Sequence, residues 1–160
     1  MKTRTMLALS AMFALSPSIA LADATAAKRT DVEMKGSHVM PFSQSDTMHM
    51  FQSTKSGGVQ TVMVKNGDPT QIALVRSHLH KEAVAFAGGD YRDPAVIHGM
   101  DMPGLDALHA GAKHVRVRYT DVPNGAAIRY ESRDPQLVAA VHSWFAAQVD
   151  QHGSHAEMKM

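Results

Sequence analysis

Histidine and methionine are the residues whose types and spacing could do chemistry in this sequence. The chain has ten histidines and twelve methionines but no cysteine. His98, Met100 and Met102 alternate within the stretch from Ile97 to Leu105, which contains two glycines. Imidazole nitrogen binds copper, zinc, nickel and iron, whereas thioether sulfur favours Cu(I) and contributes little to zinc sites. This central stretch is therefore typical of a place where copper could bind.

Other histidines lie where predicted strands and helices could bring them to the same place. The candidate metal ligands are His49, His78, His98, His142, His152, Met100 and Met102. His78 and His142 border apolar helix stripes, so hydrogen-bonded core histidines are the competing interpretation. His152 also suits the last turn of a helix, and the two methionines suit packing under a loop. The predicted cofactor is copper, with zinc a poorer fit, or none at all.

Sequence motifs of the common enzyme classes are missing. The sequence has no Gly-x-Ser-x-Gly elbow, no phosphate-binding glycine-rich loop and no His-Glu-x-x-His helix. Asp90, Asp93 and Asp101 could form an acid/base site with His98. Asp90 and Asp93 also suit turn and cap positions, which is the interpretation we favour for both. The sequence therefore predicts no catalytic residue and favours a protein that is not an enzyme.

The first residues predict export. Lys2 and Arg4 precede a short apolar run from Met6 to Leu15, and Ala20-Leu21-Ala22 supplies a small-x-small cleavage site. The run is too short to span a bilayer. We predict a signal peptide over residues 1–22, no membrane association after its cleavage, and a periplasmic or secreted protein.

The charge balance argues against a nucleic-acid partner. Without Lys2 and Arg4, 14 basic residues stand against 15 acidic ones. The sequence contains no basic run and no basic patch interleaved with aromatic residues. An exported chain without cysteine must be stabilised by its core, since it has no disulfides. The expected partner is a metal ion or a small ligand, and the sequence does not specify a protein partner.

Two similar units flank the central stretch. In each, two alternating segments that read as strands are followed by an Asp-Pro pair, which suits a helix start, and then by an apolar stripe with helical spacing. The predicted strands cover residues 47–53, 59–65, 114–120 and 127–132, and the helices begin at Asp68-Pro69 and Asp134-Pro135. We predict an α+β domain of two strand–strand–helix repeats, forming a four-stranded antiparallel sheet with the helices packed on one face.

The predicted organisation has four parts. These are a signal peptide (1–22), a flexible N-terminal arm (23–45), a single α+β domain (46–153) and a disordered tail (154–160). The arm and the tail are polar and show no sustained apolar period, so we expect neither to contribute to the core.

Several short motifs are specific when taken together. They are Thr47-Met48-His49-Met50-Phe51, Gly57-Gly58-Val59-Gln60, Ile72 through His78-Leu79, Gly89-Asp90-Tyr91, Ile97-His98-Gly99, Met102-Pro103-Gly104-Leu105, His142-Ser143-Trp144-Phe145-Ala146-Ala147-Gln148 and His152-Gly153. With them, the chain from Phe51 to Gly153 resembles a family of small exported bacterial proteins of unknown function, some labelled aspartate carbamoyltransferase. The resemblance implies export and a shared fold.

The motifs do not support a carbamoyltransferase activity. That enzyme binds carbamoyl phosphate with a Ser-Thr-Arg-Thr loop, and the nearest string here is Lys2-Thr3-Arg4-Thr5, inside the predicted signal. We expect instead an exported protein that binds a transition metal, copper, through histidine and methionine. One alternative is a small-ligand or protein-interaction module without metal, whose pocket lies under the central loop. The other is a His/Asp or metal-assisted enzyme.

Overall fold

The computed structural model describes residues 17–159, and their side chains from residue 25 onward. Most of the predicted signal peptide, residues 1–16, lies outside this range. The helices are α1 (Pro17–Val39), α2 (Pro69–Ala87), α3 (Arg92–His98), α4 (Leu105–Ala110) and α5 (Pro135–His152). The strands are β1 (Thr47–Thr54), β2 (Gly57–Val64), β3 (Arg116–Val122), β4 (Gly125–Glu131) and β5 (Ala156–Met158).

The five strands form one mixed sheet in the order β3-β4-β2-β1-β5. The pairs β1–β2, β2–β4 and β3–β4 are antiparallel, whereas β1 and β5 are parallel. The predicted four-stranded antiparallel sheet is therefore wrong. The fifth strand comes from the stretch predicted as a disordered tail: the backbone takes a φ of 57° at Gly153, and Ala156 then pairs with His49. This pairing satisfies backbone groups that the edge of β1 would otherwise expose.

The helices α2 and α5 pack on the same face of the sheet through aromatic side chains. Phe145 of α5 contacts Phe51 of β1, with ring centroids 5.1 Å apart. Tyr130 of β4 contacts Trp144 of α5 at 5.5 Å and Phe86 of α2 at 6.2 Å. Burying each of these rings contributes about 1.5–3 kcal/mol, so this layer stabilises the packing of both helices on the sheet.

The predicted helix starts are confirmed. The side chain of Asp68 accepts hydrogen bonds from the backbone N–H groups of Thr70 and Gln71 at the start of α2. Asp134 accepts one from Gln136 at the start of α5. In both helices proline follows the cap, where its missing N–H costs no hydrogen bond.

Helix α1 occupies most of the stretch for which the sequence predicts a flexible arm. Residues 19–35 contain no glycine or proline and are rich in alanine, which favours a helix. A few apolar side chains anchor this part of the chain to the core, since Val32, Met40 and Phe42 are buried. Within residues 17–159, no helix combines the length and the apolar character that a bilayer span requires.

Candidate functional site

A small cavity lies between the sheet and helices α2, α3 and α5. Its volume is about 50 Å³, which is room for a few water molecules or for an ion with a small ligand. Four of the predicted ligands line it together with two carboxyl groups: His49, His78, His98, His152, Glu82 and Asp93. Met40 is also among the residues that line the cavity.

His152 contacts two of the other imidazoles, one on each side. The ring of His152 stacks on His49 with centroids 5.1 Å apart and planes at 23°. The ring of His98 meets His152 edge to face, with centroids 4.9 Å apart and planes at 80°. His49 lies on β1, whereas His98 and His152 are the last residues of α3 and α5. We call these three residues the histidine cluster.

Burial keeps the histidine cluster uncharged at neutral pH. Desolvation lowers the pKa of His49 to about 4, and the neighbouring imidazoles lower it too. Desolvation also lowers the pKa of His98 to about 4, against the opposing effect of a hydrogen bond to Gln151. For His152, desolvation and the charges of the other histidines lower the pKa to about 2. Each ring therefore keeps one nitrogen lone pair available to a ligand at pH 7.

Gln151 selects the tautomer of His98. The Nδ1 atom of His98 lies 2.9 Å from Oε1 of Gln151. Because an amide oxygen only accepts hydrogen bonds, Nδ1 carries the proton and donates, and Nε2 carries the lone pair. Metal-binding histidines are commonly oriented in this way, by a hydrogen bond from the nitrogen that does not bind the metal.

His152 separates the buried cavity from a cleft at the surface. Its side chain is only partly buried. It also lines a cleft of about 300 Å³ between α1 and residues 153–155, which follow α5. Arg29 and His155 line the same cleft. His152 is therefore shared by the cavity and this surface cleft.

His78 reaches the same cavity from α2. Its ring centroid lies 5.6 Å from that of Phe42, and the Phe42 centroid lies 6.1 Å from that of His49. Desolvation, followed by the charge of Lys81, lowers the pKa of His78 to about 4. Phe42 thus contacts both His78 and His49, and His78 too is uncharged at pH 7.

Glu82 and Asp93 form a carboxyl pair on this side of the cavity. Burial, reinforced by the hydrogen bond with Asp93, raises the pKa of Glu82 to about 8, although Lys81 Nζ lies 3.8 Å from its Oε1. Desolvation works against ionisation of Asp93 as well, but hydrogen bonds from Glu82 and Lys81 outweigh it and lower the pKa of Asp93. At pH 7 Glu82 is therefore protonated and Asp93 is charged, with Lys81 Nζ 3.1 Å from Asp93 Oδ2.

The structure does not bring His142, Met100 or Met102 to the cavity. The Nε2 atom of His142 lies 3.0 Å from the carbonyl oxygen of Thr54 and 2.9 Å from that of Gly57, and it holds the β1–β2 turn. Met102 is buried in the core, whereas 73% of Met100 is exposed. Between buried His98 and exposed Met100, the backbone takes a φ of 100° at Gly99, so simple alternation does not hold along the central stretch.

The histidine cluster needs a small rearrangement before its members can share one ion. Among the side chains that the structure describes, no group of three or more His, Cys, Asp or Glu is arranged to hold a metal. An ion bound by a ring nitrogen lies in the plane of that ring. The nearly parallel, stacked planes of His49 and His152 have no such point in common, so one ring has to rotate about its side-chain torsions.

Several residues that line the cavity or contact the histidine cluster were not recognised from the sequence as part of a site. Glu82 follows His78 by one helical turn and interrupts the buried stripe of α2 between Leu79 and Phe86. Gln148 and Gln151 continue the buried stripe of α5 beyond Trp144 and Phe145. A polar residue within an apolar helical stripe was the available signal in each case, because such a residue needs a polar partner inside the protein.

No protein-family model, curated protein or solved structure matches this chain. The family resemblance therefore stays a prediction. The function has to be argued from the geometry of the cavity.

Proposed function

We propose that this is an exported copper-binding protein whose metal is held by the histidine cluster. The observation that supports it is the contact of three uncharged imidazoles, from β1, α3 and α5, at one buried cavity. Side chains this far apart in the chain meet only through the tertiary fold. A polar ring in a protein interior is costly unless it has a partner, and a metal ion supplies such a partner for the lone pairs.

Copper fits the donors better than zinc does. Imidazole binds both metals, but Met40 lines the same cavity, and a thioether ligand favours Cu(I). Copper also binds nitrogen ligands more tightly than the other divalent metals of its row. The hydrogen bond between His98 and Gln151 supports this role, since it leaves Nε2 of His98 free for the metal.

Metal analysis of the untagged protein tests the proposal. We expect one copper ion per chain, and a melting temperature that rises with Cu(I) or Cu(II). At a free copper concentration 100 times Kd, the folded state gains about 2.7 kcal/mol. His152→Gln should abolish this shift. His114→Gln, at an exposed histidine, and His142→Gln, at the histidine that holds the β1–β2 turn, should retain it.

A melting temperature that neither copper ion nor Zn(II) changes would contradict the proposal. If His152→Gln fails to fold, His49→Gln and His98→Gln, checked by circular dichroism, replace it. Retention of full copper affinity by every folded cluster variant would also contradict the role of the cluster.

The export part of the proposal rests on the N-terminal sequence. Cleavage after Ala22 leaves residues 23–39 of α1, including the core residue Val32. Cell fractionation followed by N-terminal sequencing should find the protein outside the cytoplasm, beginning at Asp23. A cytoplasmic protein that keeps Lys2 and Arg4 would contradict export.

A metal-assisted enzyme is the second candidate, because of the carboxyl pair. Protonated Glu82 and uncharged His78 line the same cavity as the histidine cluster and could transfer protons there. This activity requires that the metal keeps an open coordination position.

A further inference from the structure

Three buried nitrogen atoms, each on a residue that lines the cavity, have no hydrogen-bond partner within the described part of the chain. The atoms are His49 Nδ1, Trp144 Nε1 and Gln148 Nε2. Their residues are 5%, 1% and 5% exposed, respectively. A buried polar group without a partner costs about 1–3 kcal/mol, so a cavity with several of them is built to hold something polar.

The chemistry of these atoms points to a ligand that accepts hydrogen bonds. Trp144 Nε1 and Gln148 Nε2 can only donate. His49 Nδ1 also donates when the other nitrogen of the ring binds a metal. Glu82 is protonated and donates its proton to Asp93. Its Oε1 atom is a fourth buried atom without a hydrogen-bond partner, and Lys81 Nζ lies 3.8 Å from it. The unpartnered nitrogens therefore outnumber this one acceptor.

The charge at the cavity points the same way. Imidazole binds a metal as an uncharged ligand, and the carboxylate of Asp93 is already paired with Lys81, whose Nζ lies 3.1 Å from Oδ2. A copper ion would therefore bring an uncompensated positive charge into a buried site, which is costly. A small anion beside the metal removes this cost and satisfies the free N–H groups together.

We propose that the cavity binds one small anion next to the metal, held by the N–H groups of Trp144 and Gln148. The volume of about 50 Å³ limits the ligand to a few atoms, as in azide, nitrite or formate. The proposal rests on copper binding by the histidine cluster. It goes beyond that function because it gives the metal an exchangeable ligand and the protein a class of small-molecule partner.

Azide titration of the Cu(II)-loaded protein tests this proposal. We expect a saturable azide-to-copper charge-transfer band and a change in the electron paramagnetic resonance spectrum. Gln148→Met keeps the length of the side chain but removes the donor, and should weaken azide binding at least about tenfold while copper binding is unchanged. Gln136→Met changes an exposed glutamine of the same helix and should bind azide like the wild type. Trp144→Phe, checked by circular dichroism, removes the other donor and should have a similar effect.

The possible outcomes separate this proposal from the proposed function. Copper binding without any effect of azide overturns the anion site and leaves the copper site standing. Equal azide affinity in the wild type and both donor variants also overturns it, because the donors then play no part. If copper does not bind, both proposals fall. If azide has no effect and Glu82→Gln weakens copper binding, Glu82 itself is the counter-charge and the anion site is overturned.

Discussion

The ring of His98 meets the ring of His152 edge to face, with centroids 4.9 Å apart. Each residue ends a helix, and Nδ1 of His98 donates its orienting hydrogen bond to Oε1 of Gln151, the neighbour of His152. The last turn of α5 thus supplies both a contact and an orienting partner to the end of α3. The candidate site depends on how these two helix ends are held together.

Removing the orienting hydrogen bond should weaken copper binding. In Gln151→Met the side chain keeps its length, but Nδ1 of His98 loses its partner at 2.9 Å. Loss of such a partner typically lowers metal affinity by about 10–100-fold. Competition with a Cu(I) chelator measures the affinity, and Gln136→Met is the matched control. An affinity within twofold of the wild type would show that Gln151 does not orient a ligand.

The metal-free protein should lose stability as the pH falls from 6.5 towards 4. The folded state keeps His49, His78 and His98 uncharged down to a pKa of about 4, whereas the unfolded chain takes up protons at about 6.5. The stability that depends on uncharged histidine is present above pH 6.5 and lost on acidification. For each of these histidines, the complete loss on acidification lowers the free energy of unfolding by up to about 3 kcal/mol.

Urea unfolding at several pH values measures this acid dependence. His152→Gln should reduce the slope of unfolding free energy against pH below 6.5, and His114→Gln, at an exposed histidine, is the matched control. A free energy that stays constant between pH 6.5 and 4.5 would mean that the cluster is accessible to protons in the folded state.

Glu82 should make the folded protein less stable as the pH rises. Its pKa rises from 4.5 to about 8 in the folded protein, so the folded state holds a proton that the unfolded chain releases. The stability from this group is fully present below pH 4.5 and is lost as the pH rises through 8. Glu82→Gln should remove the loss between pH 6 and 8.5, measured by urea unfolding. The exposed Glu33→Gln is the control, and a loss that persists in Glu82→Gln would place its origin elsewhere.

Gly104 should tolerate no side chain, because it contacts α5 closely. Its φ is 82°, and a Cβ atom there would lie 2.2 Å from the carbonyl oxygen of Ala140. Gly67 has a similar φ of 70°, but its nearest neighbour would be 4.0 Å away. Gly67→Ala should cost about 1–2 kcal/mol from backbone strain alone, and Gly104→Ala clearly more. Thermal melts compare the two, and equal losses would contradict the close packing of Gly104 on α5.

Local features of the fold followed from the sequence. The Asp-Pro helix starts, the hairpin strands and the helix stripes are set by neighbouring residues, and the structure contains them. Strand β5 did not follow, because three residues are too few to show alternation, and their pairing depends on the exposed edge of β1. Helix α1 was missed because its mostly polar composition hides the few residues that contact the core.

The sequence by itself determined which types of metal-binding side chain are present and which helices and strands carry them. A chain with ten histidines and twelve methionines but no cysteine has imidazole and thioether, not thiolate, as its soft donors. Only the tertiary structure decided which of them meet. His142 and His152 lie on the same helix, yet the first binds the carbonyls of the β1–β2 turn and the second stacks on His49. The periodicity of a helix is local, whereas the position of its end against a strand and another helix is set by packing across the whole core.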